Sequence, residues 1–182
     1  DDLVVNNLEK SLPYILALKS FYFRKYHSIY NHIVIPYSDQ LSLLPSYLQQ
    51  LVMESNGKSV NSFNENISNS PCSFIFGEVG TDAQHSFFQA LHQSTLSFTA
   101  DLICFSNTLN SEFSIFDDYD KNNSRDLKNF AISQYFAFKN GSGKTTKSVH
   151  QYVKGNKPVD LFMFNTLNEY TFGQLLCIYE YK

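Results

Sequence analysis

Proton transfer near neutral pH is done most often by histidine and by carboxylates held above their ordinary pKa. This chain carries one of each in settings that could use them. In "QQLVMESNGK", residues 49–58, Glu54 falls in the last turn of an expected helix, just before Asn56-Gly57, a helix stop signal. The negative end of the helix dipole disfavours a carboxylate there and is expected to raise its pKa, which suits a general base. Gln50, one turn earlier, lies on the same helical face. In "FGEVGTDAQHSFFQALHQST", residues 76–95, an apolar run passes through Gly77 and Gly80 into an amphipathic stretch, with His85 expected in the first turn of a helix. Junctions of that kind are where α/β proteins hold ligands. Taken singly, each residue is also ordinary: an exposed glutamate beside a cap, a polar surface histidine, a surface glutamine.

The elements that would carry these residues follow from periodicity. "SLPYILALKSFYFRKY" reads as a helix capped by Ser11, with Pro13 near the first helical position and Ile15, Leu16, Leu18 and Phe21 at helical spacing. "SIYNHIVIPYS" is β-branched and aromatic, a strand ended by Pro36. Leu41, Leu44, Leu48, Leu51 and Val52 mark one face of a second helix. "CSFIF" and "ADLICF" are continuous apolar runs, as in strands covered on both faces of a parallel sheet, and "QHSFFQALHQ" between them suits a helix. A further helix, "RDLKNFAISQYFAF", a strand, "DLFMF", and a closing helix, "TFGQLLCIYEYK", follow. Alternating strands and helices predict an α/β fold, doubly wound, with a mainly parallel sheet and helices on both faces. The Ser/Asn-rich stretches 59–70 and 107–124 read as loops, so residues 1–182 form one domain.

Several functions are excluded. A formal net charge of −3, from 14 basic and 17 acidic residues, with no basic-aromatic stripe, argues against a nucleic-acid partner. No apolar run can span a bilayer and no leader is evident, so a cytoplasmic protein with no membrane partner is expected. "NGSGKTT" ends like a phosphate-binding P-loop, but the required earlier glycine is Phe138, which rejects nucleotide hydrolysis. His27, His32 and His150 lack partners at metal spacing and read as surface or loop residues; no metal or cofactor is expected. The sequons at Asn66, Asn122 and Asn140 are what an Asn/Ser-rich chain produces by chance. Cys72, Cys104 and Cys177 read as three buried small hydrophobes. The opening "DDLVVNN" without methionine and the uncapped last helix suggest an excised piece.

Residues 49–58 and 76–95, in that order and separation, resemble the two signature blocks of the glucose-6-phosphate isomerase family, and Lys154–Lys182 more loosely resembles the segment before that family's last block. The resemblance covers essentially the whole chain, as the second of two sugar-isomerase, flavodoxin-like domains. It implies an aldose–ketose isomerase working on glucose 6-phosphate and fructose 6-phosphate through a cis-enediol. Glu54 would move the proton between C2 and C1, His85 would help open the sugar ring, and Gln50 would hydrogen-bond the substrate beside Glu54. It also implies a homodimer in which the histidine reaches the neighbouring subunit's site. His92 takes no role in that scheme and is expected to be structural. The family's Trp-Gly-Glu-Pro-Gly-Thr-Asn-Gly-Gln-His appears here as Phe76-Gly77-Glu78-Val79-Gly80-Thr81-Asp82-Ala83-Gln84-His85, and the missing proline and glycine bear on the loop's stiffness. The family's phosphate-binding Ser/Thr loop, active-site arginine and C-terminal lysine fall outside these residues, so the piece is expected to fold without isomerising. The alternative is a non-catalytic sugar-phosphate-binding module of the same fold, which would have no need of the base.

Overall fold

The computed structural model describes residues 8–68, 70–107, 117–142 and 151–182. Strands β1 (Asn31–Pro36), β2 (Phe74–Gly77), β3 (Thr99–Asn107) and β4 (Val159–Thr166) form a parallel sheet in the order β2-β1-β3-β4. Helix α1 (Leu12–His27) precedes β1; α2 (Leu44–Leu48), continued by a π-helical turn Gln49–Glu54, joins β1 to β2. Helices α3 (Gly80–Ser86) and α4 (Phe88–Gln93) join β2 to β3, α5 (Asp117–Asn140) joins β3 to β4, and α6 (Glu169–Glu180) follows β4.

Side-chain alternation along the strands splits the core in two. Ile33, Ile35, Ala100, Leu102 and Cys104 meet Ala83, Phe88, Leu91 and Phe138 of α3, α4 and α5. Val34, Ile75, Ile103 and Phe105 point the other way, to Leu16, Leu44, Leu48, Leu175 and Tyr179 of α1, α2 and α6. The expected doubly wound fold is therefore present, with helices on both faces. Local signals also set the boundaries. Pro45 sits in the first turn of α2, and Asn168 and Thr171 form a reciprocal capping box that starts α6.

Particular expectations change. β2 is an edge strand, with Phe74 64% exposed, so "CSFIF" is not covered on both faces; its apolar side chains outnumber its neighbours. Ser11 stands at the N-cap of α1 but makes no side-chain cap bond, and of that helix only Pro13 and Leu16 are fully buried. Ile15, Leu18 and Phe21 are each 49% exposed, because the sheet covers one side of α1 only. α5 begins at Asp117, inside the expected 107–124 loop, of which 108–116 lie outside the described residues. The 59–70 stretch is irregular apart from one Val60–Asn66 bridge, residue 69 lying outside the described residues. His150 and the Gly-Lys-Thr of the rejected P-loop are also outside them. Cys104 alone is fully buried; Cys72 and Cys177 are half-buried.

His32 is the clearest correction. It is 7% exposed, not a surface residue, and its Nε2 lies 3.0 Å from Oδ2 of the fully buried Asp101 on β3. Nδ1 lies 2.7 Å from the Thr99 hydroxyl. A neutral ring with its proton on Nε2 satisfies both: it donates to Asp101 and accepts from Thr99. The Tyr179 hydroxyl donates to the same Asp101 oxygen at 2.9 Å, and Lys182 Nζ at 3.2 Å. Burial opposes ionisation of Asp101, but Lys182, His32 and Tyr179 hold its carboxyl well below the usual carboxylate range. A polar residue set in an apolar strand run must find such partners or be costly.

This knot makes stability pH-dependent. Burial, helped by the Lys182 ammonium and against the pull of Asp101, pushes the His32 imidazole below its ordinary pKa. The folded chain then refuses a proton that the unfolded chain accepts below about pH 6.5. The unfolded state gains protons on acidification, so stability is present above that pH and is lost below it. From pH 7.5 to 5.5 the unfolding free energy read from thermal melts should fall more steeply for the wild-type chain than for His32→Gln, by at most about 1.4 kcal/mol per pH unit. Asp101 is ionised in both states throughout that range, so thermal melts read His32. Equal slopes would refute the assignment.

Candidate active site

The turn that bears Gln50 and Glu54 is π-helical, not the α-helix that periodicity predicts, and it returns to α geometry for Ser55 and Asn56. Leu48 beneath it is fully buried, whereas Leu51, Val52 and Met53 are half-buried. Gln50 and Glu54 are both exposed, one turn apart on the same side. Lys58 Nζ donates to the backbone carbonyls of Glu54 at 2.6 Å and Ser55 at 3.2 Å, which satisfies the otherwise unpaired end of the helix. Gln49 Nε2 donates to the Ile75 carbonyl at 3.0 Å, and the Ile75 N–H donates to Met53 Sδ at 3.4 Å. Both contacts pin the turn to β2.

His85 occupies the last turn of α3, not the first, because the helix starts five residues earlier at Gly80. Val79 and Ala83 are buried and anchor α3; His85 is exposed. The two glycines act by close approach and not by left-handed backbone. A Cβ on Gly77 would lie 1.9 Å from the Val34 carbonyl oxygen of β1, and one on Gly80 would lie 2.4 Å from the Tyr37 ring. The junction thus lets α3 sit directly against the end of β1. His92, in α4, is stacked on Phe138 at 4.5 Å between centroids and bonded to Gln134, the structural place expected of it.

The structure brings Gln50 and Glu54 together and separates both from His85. The π turn packs with α1 and α6 on one face of the sheet, and α3 packs with α5 on the other. A single copy therefore presents an acid–amide pair on one side and a histidine on the opposite side.

A cavity of about 260 Å³ lies at the strands' N-terminal edge, lined by Arg24, His32, Ser55, Asn56, Tyr179 and Lys182 among others. Neither Glu54, Gln50 nor His85 lines it. Helices α1 and α6 and the π turn all end around it, and their carbonyl ends account for cations there. Sequence reasoning missed the Asp101 knot beside it; the signal available was a polar residue inside each of the apolar runs "NHIVIP" and "ADLICF". Among the described residues no cluster of His, Cys, Asp or Glu is arranged to hold a metal ion.

A model of the phosphoglucose isomerase family matches residues 2–182. A glucose-6-phosphate isomerase of Borreliella afzelii (strain PKo) is 39% identical over 176 residues, covering 97% of this chain and 32% of the relative. One from Acinetobacter baumannii (strain SDF) is 32% identical, covering 97% of this chain and 33% of the relative. The crystal structure of a glucose-6-phosphate isomerase from Chlamydia trachomatis D/UW-3/Cx aligns with a TM-score of 0.84 and 31% identity over 99% of this chain and 34% of that one. A hypothetical protein from Thermus thermophilus shares the fold, with a TM-score of 0.72 and 21% identity over 99% of this chain and 40% of that one. The chain spans about a third of the length of the curated relatives it matches.

The junction geometry is open to a paired substitution. Gly80→Ala forces a methyl group into the buried Tyr37 ring and should cost about 1–3 kcal/mol. Gly173→Ala, in α6, meets nothing within 4 Å and should be neutral or stabilise by up to about 1 kcal/mol. Denaturant midpoints measure both. Equal effects would mean that the Tyr37 contact does not constrain α3.

Proposed function

The chain belongs to the phosphoglucose isomerase family, and we propose that it forms part of an aldose–ketose isomerase that interconverts glucose 6-phosphate and fructose 6-phosphate. The observation that carries the reading is the exposed Gln50–Glu54 pair on one π turn, within a chain that the family model matches from residue 2 to residue 182. A binding module without catalysis has no need of the carboxylate.

In this reading His85 exchanges a proton with the ring oxygen and opens the sugar. The Glu54 carboxylate removes the C2 proton of the open-chain aldose, leaving a cis-enediol, and returns a proton to C1 to give the ketose. Gln50 hydrogen-bonds the hydroxyls or the enediol beside Glu54. The two faces of the sheet bear on how these groups meet. With Glu54 on the face of α1 and α6 and His85 on the face of α5, a second copy of the chain supplying its histidine completes each site. The active species is accordingly a homodimer of the complete protein, and the 182 residues alone are expected to show only background turnover. No helix among the described residues is long and apolar enough to cross a membrane.

Glu54→Gln in the complete protein tests the reading. The substitution keeps shape and removes the base, so kcat should fall by about 10²–10⁴, or roughly 3–5 kcal/mol of barrier, while KM changes little. A coupled assay on fructose 6-phosphate measures both. An unchanged kcat would leave Glu54 a surface residue.

A further inference from the structure

We propose that Gln49 and Met53 are positioning residues that set Glu54 against the substrate by clamping its turn onto the outer edge of β2. The inference rests on the proposed role of Glu54. In a parallel ladder both backbone groups of alternate residues point to the same neighbour. Phe74 N–H bonds Tyr30 of the chain entering β1, so the groups of Ile75 point outward, where no further strand pairs with β2 among the described residues. An edge pair of that kind is normally left to solvent or to another chain. Here two side chains of the π turn take the place of a strand: Gln49 Nε2 donates to the Ile75 carbonyl at 3.0 Å, and Met53 Sδ accepts from its N–H at 3.4 Å. The Ile75 side chain is buried beside Leu48, so the edge being gripped is itself fixed in the core.

The spacing gives the clamp its consequence. Gln49 and Met53 are four residues apart, and Gln50 and Glu54 are the next residue along from each. The pair that grips the sheet and the pair that faces the substrate therefore share one turn and one register. No hydrogen bond among the described residues holds the Glu54 carboxylate itself; its position is inherited from its backbone, whose carbonyl is held by Lys58. π-helical turns are rare, appear mostly as single-turn bulges inside α-helices and are frequent at functional sites. Catalytic groups must stay within about 0.5 Å of productive geometry, and a misplacement of about 1 Å can cost about 10²-fold in rate.

The experiment uses the complete protein with fructose 6-phosphate in D₂O. Gln49→Leu leaves the Ile75 carbonyl unpaired, and Met53→Leu keeps volume while removing the sulfur acceptor. For Gln49→Leu, kcat should fall about tenfold or more with KM within about twofold, and Met53→Leu should fall less. A displaced base also alters how often the abstracted proton exchanges with solvent before it is returned, so deuterium incorporated per turnover should change at least about twofold. That ratio is counted per turnover and does not respond to the amount of folded enzyme. An unchanged kcat, or a lower kcat with unchanged deuterium per turnover, overturns the clamp. A wild-type protein that does not isomerise, or a fully active Glu54→Gln, overturns the proposed function and the clamp with it.

Discussion

A crossover between parallel strands has one hand, and that constraint arranges everything else in this chain. β2 lies on one side of β1, while β3 and β4 lie on the other. To keep the same hand, the β1–β2 connection must cover one face of the sheet, and the β2–β3 and β3–β4 connections must cover the opposite face. The Gln50–Glu54 turn belongs to the first connection and His85 to the second. Their separation is thus a consequence of strand order and not a local accident.

Within that frame, rigidity is supplied where polar groups meet the sheet. Asp101 on β3 gathers His32 from β1, Tyr179 from α6 and Lys182 just beyond it, so one buried carboxylate ties two central strands to the last helix. Such a knot is weak evidence for net stability, because desolvation consumes much of the attraction, but it is costly to break from one side only. At the strand edge, Gln49 and Met53 do for β2 what a further strand would otherwise do. The first device fixes the start of β1, and the second fixes the turn that carries Glu54 to β2.

The parts that were legible in the sequence are those decided by local pattern. The runs "NHIVIP" and "ADLICF" were readable as strands, and the 3.6-residue spacing of Leu44 and Leu48 as a helix, because periodicity there coincides with burial. Gln50 and Glu54, both exposed, were legible as neighbours on one face from their four-residue spacing alone. What escaped depended on neighbours distant in sequence. "CSFIF" looks as buried as "ADLICF", and only strand order makes it an edge. The π turn answers to contacts with Ile75, and the start of α3 at Gly80 answers to the Tyr37 ring, neither of which is visible in a short window of sequence. His32 was misread as a surface residue because its partners, Thr99 and Asp101, lie nearly seventy positions away.

The central claim is that each active site joins Glu54 of one copy to His85 of another. Its most direct test is complementation between two crippled forms of the complete protein, Glu54→Gln and His85→Ala, mixed, unfolded and reassembled. In a mixed dimer one site receives both lesions and the other receives neither. With random pairing about half of the dimers are mixed, and each has one intact site of two, so activity should approach roughly a quarter of wild type for independent sites. Each parent refolded alone should stay far below that value. A mixture no more active than the mean of its parents, with mixed dimers verified by mass, would show that Glu54 and His85 act within one chain and would contradict the account.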